Sequence, residues 1–265
     1  MARRLIGRVI SAVLATTMLA GLSACGHTGN EAGHDATTAE VGQTDAAVEK
    51  DMTLSGLPTE PGYSWDIAQY PGGGTVPVQM TAEGPWTIEA GGDWPISTTE
   101  VVDPAGVPGI DAFADYDHVV KTVIGGEDWY YPRRVADGWL LQLGSITGAG
   151  ESATAEPYED PVRFWPMDFE VGGTYVVLEG ESFRVDATVV GQNTAHVPAG
   201  DIEDAYLMRF DYTPITPEGI EATHYYILAP NVGFVALFSV AAGDETVGFT
   251  ELDSLQVLAT LPAKR

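Results

Sequence analysis

Residues 183–189, Phe-Arg-Val-Asp-Ala-Thr-Val, alternate apolar and polar side chains along their whole length. Residues 206–212, Tyr-Leu-Met-Arg-Phe-Asp-Tyr, continue this alternation and place their bulkiest side chains on one face. Successive side chains of a strand point to opposite faces of a sheet, so a period of two predicts half-buried antiparallel strands. These two segments therefore favour a sheet over a helical bundle.

Shorter segments outside this pair also read as strands separated by Gly, Pro and Asp turns. Asp111–Val123 fits either one short helix or, from Tyr116, a strand. The predicted fold is mainly β, an antiparallel sheet or sandwich-like lobes with at most one or two short helices. The remaining strand predictions are residues 225–227 and Phe234–Val240 around a turn at Ala229–Gly233, a hairpin over Val76–Ala90 centred on Glu83-Gly84-Pro85, and a pair of strands at 128–131 and 138–143 split by Pro132-Arg133-Arg134.

Charge excludes one function class. The 265 residues carry 12 Lys and Arg against 38 Asp and Glu, a net charge of −26. A nucleic-acid-binding protein needs a basic surface to displace counterions from phosphates, so nucleic acid is not an expected partner. Hydrophobic residues make up 45% of the chain, which is enough for a folded core.

The first residues predict export. Arg3, Arg4 and Arg8 precede an apolar run that ends in small residues, a pattern typical of a secretory signal peptide over residues 1–24. The end of this segment and the residue that follows it, Leu22-Ser23-Ala24-Cys25, include the only cysteine in the sequence. This motif resembles the lipobox of bacterial lipoproteins, which implies cleavage between Ala24 and Cys25 and a diacylglyceryl group on Cys25. We therefore expect a membrane partner and a location on the outer face of the plasma membrane, or in the outer membrane of a host with two.

The rest of the chain divides by composition. Residues 25–61 hold few large apolar side chains and predict a disordered tether after the lipidated cysteine. An N-terminal β lobe at 62–146 and a C-terminal β lobe at 160–265 flank a linker at 147–159 rich in small and acidic residues. Two domains and one continuous structure both fit this division, and the small number of strands in each half favours the continuous one.

Three motifs in the C-terminal half carry a resemblance: Phe164-Trp165-Pro166-Met167, Val197-Pro198-Ala199-Gly200, and residues 225–235, which read Tyr-Tyr-Ile-Leu-Ala-Pro-Asn-Val-Gly-Phe-Val. Their order resembles a group of exported bacterial β-rich proteins and lipoproteins to which no activity is firmly attached. The sequence departs from that pattern at Asp201-Ile202, at the inserted Ile227-Leu228 and at Asn231. The resemblance covers about residues 156–240 and implies a curved antiparallel sheet in the cell envelope.

No catalytic motif, zinc-ligand spacing or phosphate-binding glycine loop occurs in the sequence, so neither an enzymatic activity nor a cofactor is expected. The best metal candidates are Asp111, Asp115 and Asp117, followed by His118, because carboxylate oxygens suit Ca²⁺. Their spacing matches no known calcium loop. In a chain this acidic they also fit plain solvated carboxylates.

One aromatic and basic cluster is a candidate binding patch: Trp129, Tyr130, Tyr131, Arg133 and Arg134. If exposed, these residues suit stacking on a glycan or contact with an acidic partner. If buried, alternate members belong to the core. Both interpretations remain open from the sequence.

The expected function is non-enzymatic binding or scaffolding at the envelope. One hypothesis is that the curved sheet encloses an apolar cavity and carries a hydrophobic ligand. The alternative is a module that binds glycan or protein through the aromatic patch, and a third class is a hydrolase whose site residues are scattered along the chain.

Overall fold

The structure is a computed structural model that describes residues 57–72, 76–77, 81, 83–168, 170–179, 183–216, 221–240 and 251–265. The predicted signal peptide, the Ala24–Cys25 cleavage site and the tether as far as residue 56 lie outside these residues. Among the described residues, no helix has the length and apolar character needed to cross a bilayer.

The described residues form one sheet, and the prediction of a mainly β fold with a curved antiparallel sheet is confirmed. The helical elements in this part of the chain are short 3₁₀ turns at Pro104–Gly106, Ile110–Ala112 and Gly150–Ser152. The strands are β1 (Tyr63–Gln69), β2 (Val76–Pro77), β3 (Trp86–Thr87), β4 (Ile96–Val102), β5 (His118–Ile124), β6 (Glu127–Ala136), β7 (Trp139–Thr147), β8 (Thr154–Pro166), β9 (Thr174–Glu179), β10 (Phe183–Val197), β11 (Gly200–Pro214), β12 (Ala222–Ala229), β13 (Gly233–Val240), β14 (Glu251–Leu258) and β15 (Ala263–Lys264).

The sheet curves so that strands near its two ends approach each other. The main path runs β3-β10-β11-β12-β13-β14-β1-β4-β5-β6-β7-β8, while β9 pairs with residues 184–188 of β10. Arg163 of β8 donates from Nη1 to the carbonyl oxygen of Val176 in β9 at 3.1 Å. This bond joins strands from opposite ends of the path, so the sheet has an enclosed inner face.

The longest hairpin joins β10 and β11, the strands with the clearest alternation in the sequence. Val185 lies opposite Tyr212, and Ala187 lies opposite Phe210. All four residues are at most 6% exposed, and we define the face that carries them as the inner face. Leu207, on the opposite face of β11, is fully buried in a second core cluster. The outer face of the hairpin is therefore covered near Leu207, whereas Arg209 and Thr213 further along β11 are exposed.

The outer face is covered by segments that precede or follow short strands. Trp86 and Ile88 bury against the outer cluster that contains Leu207. Val107 and Phe113, from the segment between β4 and β5, form a separate outer cluster with residues of β5, β6 and β7. These segments cover two parts of the outer face, and the inner face carries the candidate site.

The predicted hairpin over Val76–Ala90 is wrong. β2 pairs with β14, whereas β3 pairs in parallel with β10. Trp86 is 0% exposed and donates from Nε1 to the carbonyl oxygen of Thr81 at 2.9 Å. Burial of this large ring against a distant strand outweighs the local pairing that the alternation suggested.

The structure also decides two other local predictions, the break at Pro132 and the conformation of residues 111–123. The proposed break at Pro132 does not occur, because β6 continues from Glu127 to Ala136. Its register with β7 shifts between Tyr130 and Arg133, so the proline, which has no N–H to donate, lies in an irregular part of the ladder. In Asp111–Val123, the strand alternative holds from His118, after a single 3₁₀ turn at Ile110–Ala112.

The strands of the two predicted lobes lie in the same sheet. β1 to β7 occupy the chain up to Thr147, and β8 begins at Thr154. The segment predicted as a linker therefore contains the 3₁₀ turn Gly150–Ser152 and the first part of β8.

Candidate ligand cavity

The inner face of the sheet borders a cavity of about 190 Å³. Its walls are mainly aliphatic and aromatic side chains contributed by both halves of the chain. Val185, Phe210 and Tyr212 come from β10 and β11, Leu140 from β7, and Leu237 from β13. Because these strands lie far apart along the sheet, the cavity is a product of its curvature.

One side of the cavity reaches solvent. Val123 and Gly125, near the turn between β5 and β6, border the cavity and are exposed.

A row of uncharged polar groups crosses part of the inner face. Gln69 of β1 lies opposite Gln256 of β14, and both border the cavity. Thr99 of β4 lies opposite Thr122 of β5, with the hydroxyl of Thr99 donating to that of Thr122 at 3.4 Å. Binding pockets commonly combine apolar walls with a few such groups that orient the ligand.

Two basic side chains border the same cavity from β5 and β6. His118 lies directly opposite Arg133 in the β5–β6 register. They are only 5% and 8% exposed, and His118 Nδ1 and Arg133 Nε have no hydrogen-bond partner in the described part of the chain. The guanidinium carbon of Arg133 lies 4.4 Å from the ring centre of Phe164 and 5.9 Å from that of Tyr131.

Burial changes the proton affinity of both groups. Removal from water lowers the pKa of His118 to about 4, and the charge of Arg133 acts in the same direction. Burial also lowers the pKa of Arg133 to about 10. At neutral pH, His118 is therefore neutral and Arg133 carries a buried positive charge.

Gln142 and Tyr158 extend this polar region onto β7 and β8. Gln142 lies opposite Arg133 in the β6–β7 register, is 1% exposed, and donates from Nε2 to the Tyr158 hydroxyl at 3.3 Å. The Gln142 Oε1 atom has no partner among the described residues. We call His118 and Arg133, which border the cavity, together with Gln142 and Tyr158 beside them, the polar end of the site.

The predicted aromatic patch is not a continuous exposed surface. Tyr130 and Tyr131 are 8% and 1% exposed, Arg133 is buried, and Trp129 and Arg134 are half-buried. Alternation along β6 sends Tyr131 and Arg133 towards the cavity and Tyr130 into the outer cluster with Phe113. Tyr130 and Tyr131 are therefore core residues, as the second interpretation of this cluster states.

The candidate metal ligands remain apart. Asp111 lies in a 3₁₀ turn, Asp115 is exposed with a φ of 55°, and Asp117 accepts a hydrogen bond from the Val135 backbone N–H at 2.7 Å. Nowhere in the described residues do three or more His, Cys, Asp or Glu side chains form a group suited to a metal ion. His118 borders the cavity, and the negative charge of Asp117 opposes the lowering of its pKa.

Few features of the sequence predict the polar end. His118 is predicted only as a candidate metal ligand beside acids. Gln142 lies in a predicted strand, and Tyr158 lies in the segment that carries the resemblance, which assigns it no role. A buried Arg in the alternation of β6 was the one available signal, because Arg is rarely buried without a partner. Its neighbours became visible only once the register of β5 to β8 was known.

Comparisons with known proteins add little to this picture. No protein-family model and no curated protein matches the chain. A solved structure described as "a putative lipoprotein from Parabacteroides distasonis ATCC 8503" is similar over 80% of this chain and 100% of its own, with 13% identity and a TM-score of 0.36. At that score the likeness carries no argument about the activity of this chain.

Proposed function

We propose that this protein binds a small hydrophobic ligand in the cavity on the inner face of its sheet. The observation that supports the proposal is an apolar cavity, open on one side, walled by strands from both halves of the chain. Close packing is the rule for protein interiors, so a space of this size between large side chains is unusual unless something occupies it.

The volume limits the ligand. A cavity of about 190 Å³ is comparable to engineered apolar cavities of about 150 Å³ that bind benzene or xenon. It is smaller than the roughly 300–1,000 Å³ of pockets for drug-sized ligands. The buried part of the ligand is therefore a short acyl chain or a single ring, and a longer molecule would extend through the open side.

We also propose that the protein is held at the outer surface of a membrane. Cys25 carries a diacylglyceryl anchor and the tether holds the sheet outside the membrane, so that the cavity samples hydrophobic molecules in the envelope. Support for this part comes from the Leu22-Ser23-Ala24-Cys25 motif. Two acyl chains exceed the single chain that gives only marginal membrane binding. Within this proposal the protein acts by binding and catalyses no reaction.

Native mass spectrometry tests the binding function. The chain from residue 25 onward, with Cys25→Ser to prevent lipidation, is fused to a non-lipoprotein signal peptide that is cleaved on export, secreted by the original host and purified without detergent. We expect an additional non-covalent mass that disappears on denaturation. A single mass equal to that of the polypeptide, in protein that also fails to bind an apolar dye, contradicts the proposal.

A variant pair locates the binding. Thr122 borders the cavity, and Thr122→Phe places a ring in it, whereas Thr213 is exposed on β11 away from the cavity and serves as the matched control. Titration with a neutral naphthylamine dye, which fluoresces in apolar surroundings, should show binding lost in Thr122→Phe and retained in Thr213→Phe. Equal dye binding by both variants places the ligand elsewhere.

A further inference from the structure

The polar end of the cavity contains a charge that an entirely apolar ligand leaves unused. Arg133 is more than nine-tenths buried, and no carboxylate of the described residues lies within ion-pair distance of it. Asp117, beside His118 in the chain, is exposed and already accepts the Val135 N–H. Buried charges in proteins are normally paired, because desolvation without compensation is unfavourable.

We propose that Arg133 binds the anionic head group, a carboxylate or a phosphate, of an amphiphile whose apolar tail occupies the cavity. This inference rests on the proposed function and specifies its ligand class. A guanidinium presents its N–H donors as a planar fork that matches two oxygens of such a head group. The bound anion supplies the negative charge that the protein itself does not place beside Arg133.

The aromatic contact with Phe164 does not satisfy the hydrogen-bond donors of Arg133. The guanidinium carbon lies 4.4 Å from the ring centre of Phe164, a distance that suits a cation–π contact. The phenyl ring carries no oxygen or nitrogen acceptor, so the N–H donors of the guanidinium still need partners. The Nε atom, which has no partner within the described residues, is one such donor.

The neighbours of Arg133 suit an anion that is held partly out of water. His118, opposite Arg133, has an unpartnered Nδ1, and the neutral ring donates from one nitrogen. Both side chains border the same cavity as Phe210 and Leu237. Head and tail subsites are therefore continuous, as an amphiphile requires.

The test compares two probes that differ only in the head group. Octanoate and octanol are titrated by calorimetry at neutral pH into the chain from residue 25 carrying Cys25→Ser, refolded from denaturant to remove resident ligand. Wild type should bind octanoate more tightly than octanol by roughly tenfold or more, because hydrogen bonds between charged groups are stronger than those between neutral groups. Octyl phosphate then shows which of the two anionic heads is preferred.

Arg133→Met should abolish the preference for octanoate while octanol still binds. Arg133→Lys, which keeps the charge but not the fork, should retain part of the preference. Arg209→Met is the matched control, since Arg209 is exposed and paired with Asp211, and it should leave the ratio unchanged. A cooperative unfolding transition in each variant confirms that it is folded.

The outcomes separate this inference from the proposed function. If wild type binds neither octanoate nor octanol, the proposed function itself fails. If both bind equally well, or if Arg133→Met leaves the ratio unchanged, the cavity binds apolar molecules but the assignment of Arg133 is wrong. If acetate or inorganic phosphate binds as tightly as its octyl counterpart, the site takes free anions, which overturns the amphiphile assignment.

Discussion

Replacing Arg133 by Met should stabilise the ligand-free protein. The side chain is buried, forms no ion pair with the described residues, and has its pKa lowered from 12.5 to about 10 by burial. A lowering of that size means that the charged form contributes roughly 3 kcal/mol against folding at neutral pH. Met has an unbranched apolar side chain that fits among aromatic rings without this cost.

Part of the gain is offset by lost contacts. The cation lies over the rings of Phe164 and Tyr131, and interactions of this kind contribute about 0.5–2 kcal/mol when desolvated. The sulfur of Met recovers some of that through contact with the same rings. We therefore expect a net increase of about 1–3 kcal/mol in the free energy of unfolding.

Urea unfolding of refolded, ligand-free protein, followed by tryptophan fluorescence, measures the change. Each kcal/mol should also raise Tm by roughly 2–4 °C for a domain of this size. The exposed Arg209 again provides the control, because loss of its surface pair with Asp211 should change stability by no more than about 1 kcal/mol. Destabilisation of Arg133→Met by more than about 1 kcal/mol would refute the view that the charge is unpaired and unfavourable.

Three further predictions concern the packing and titration of the sheet. The unfolded chain protonates His118 at its ordinary pKa of 6.5, but the folded protein does so only near 4, so stability contributed by the neutral ring is lost as the pH falls through this range. Between pH 7 and pH 5, urea unfolding should therefore show wild type losing roughly 2 kcal/mol more than His118→Gln, and parallel pH profiles would contradict this. Gly144→Ala should lower the free energy of unfolding by about 1–3 kcal/mol, because its Cβ would lie 2.5 Å from the carbonyl oxygen of Glu156 and from a ring carbon of Phe113. Gly106→Ala is the control in the same urea measurement and should be neutral, since a Cβ there meets no atom within 4 Å. Trp86→Ala should lower Tm and cost about 3–5 kcal/mol, and a loss below about 1 kcal/mol would mean that the ring is not part of the core.

The sequence was informative where burial is local and regular. Alternation along 183–189 and 206–212 predicted both strands and which side chains share a face, because the inner face of this part of the hairpin is buried while Arg209 and Thr213 on the outer face are exposed. The turn at Ala229–Gly233 was predictable because Asn231 and Gly233 tolerate the positive φ values that it requires.

Long-range partners were not predictable in the same way. Trp86 and Thr87 pair with β10, more than a hundred residues later, and nothing in the local pattern indicates that partner. The candidate site depends on such pairings throughout. His118, Arg133 and Gln142 meet because three strands align in register, and that register includes a bulge between Tyr130 and Arg133.

The pairing of β1 has a consequence for the order of folding. One side of β1 finds a nearby partner in β4, but the other side pairs with β14 and β15, so that Ile67 faces Leu258 and Tyr63 faces Lys264. Lys264 also donates to Glu60, 204 residues away in sequence. Closing so large a loop is entropically costly and slow, so the sheet completes only after residues 251–264 become available. Local hairpins such as β10–β11 need not wait, but one edge of β1 stays without its partners until residues 251–264 have been synthesised.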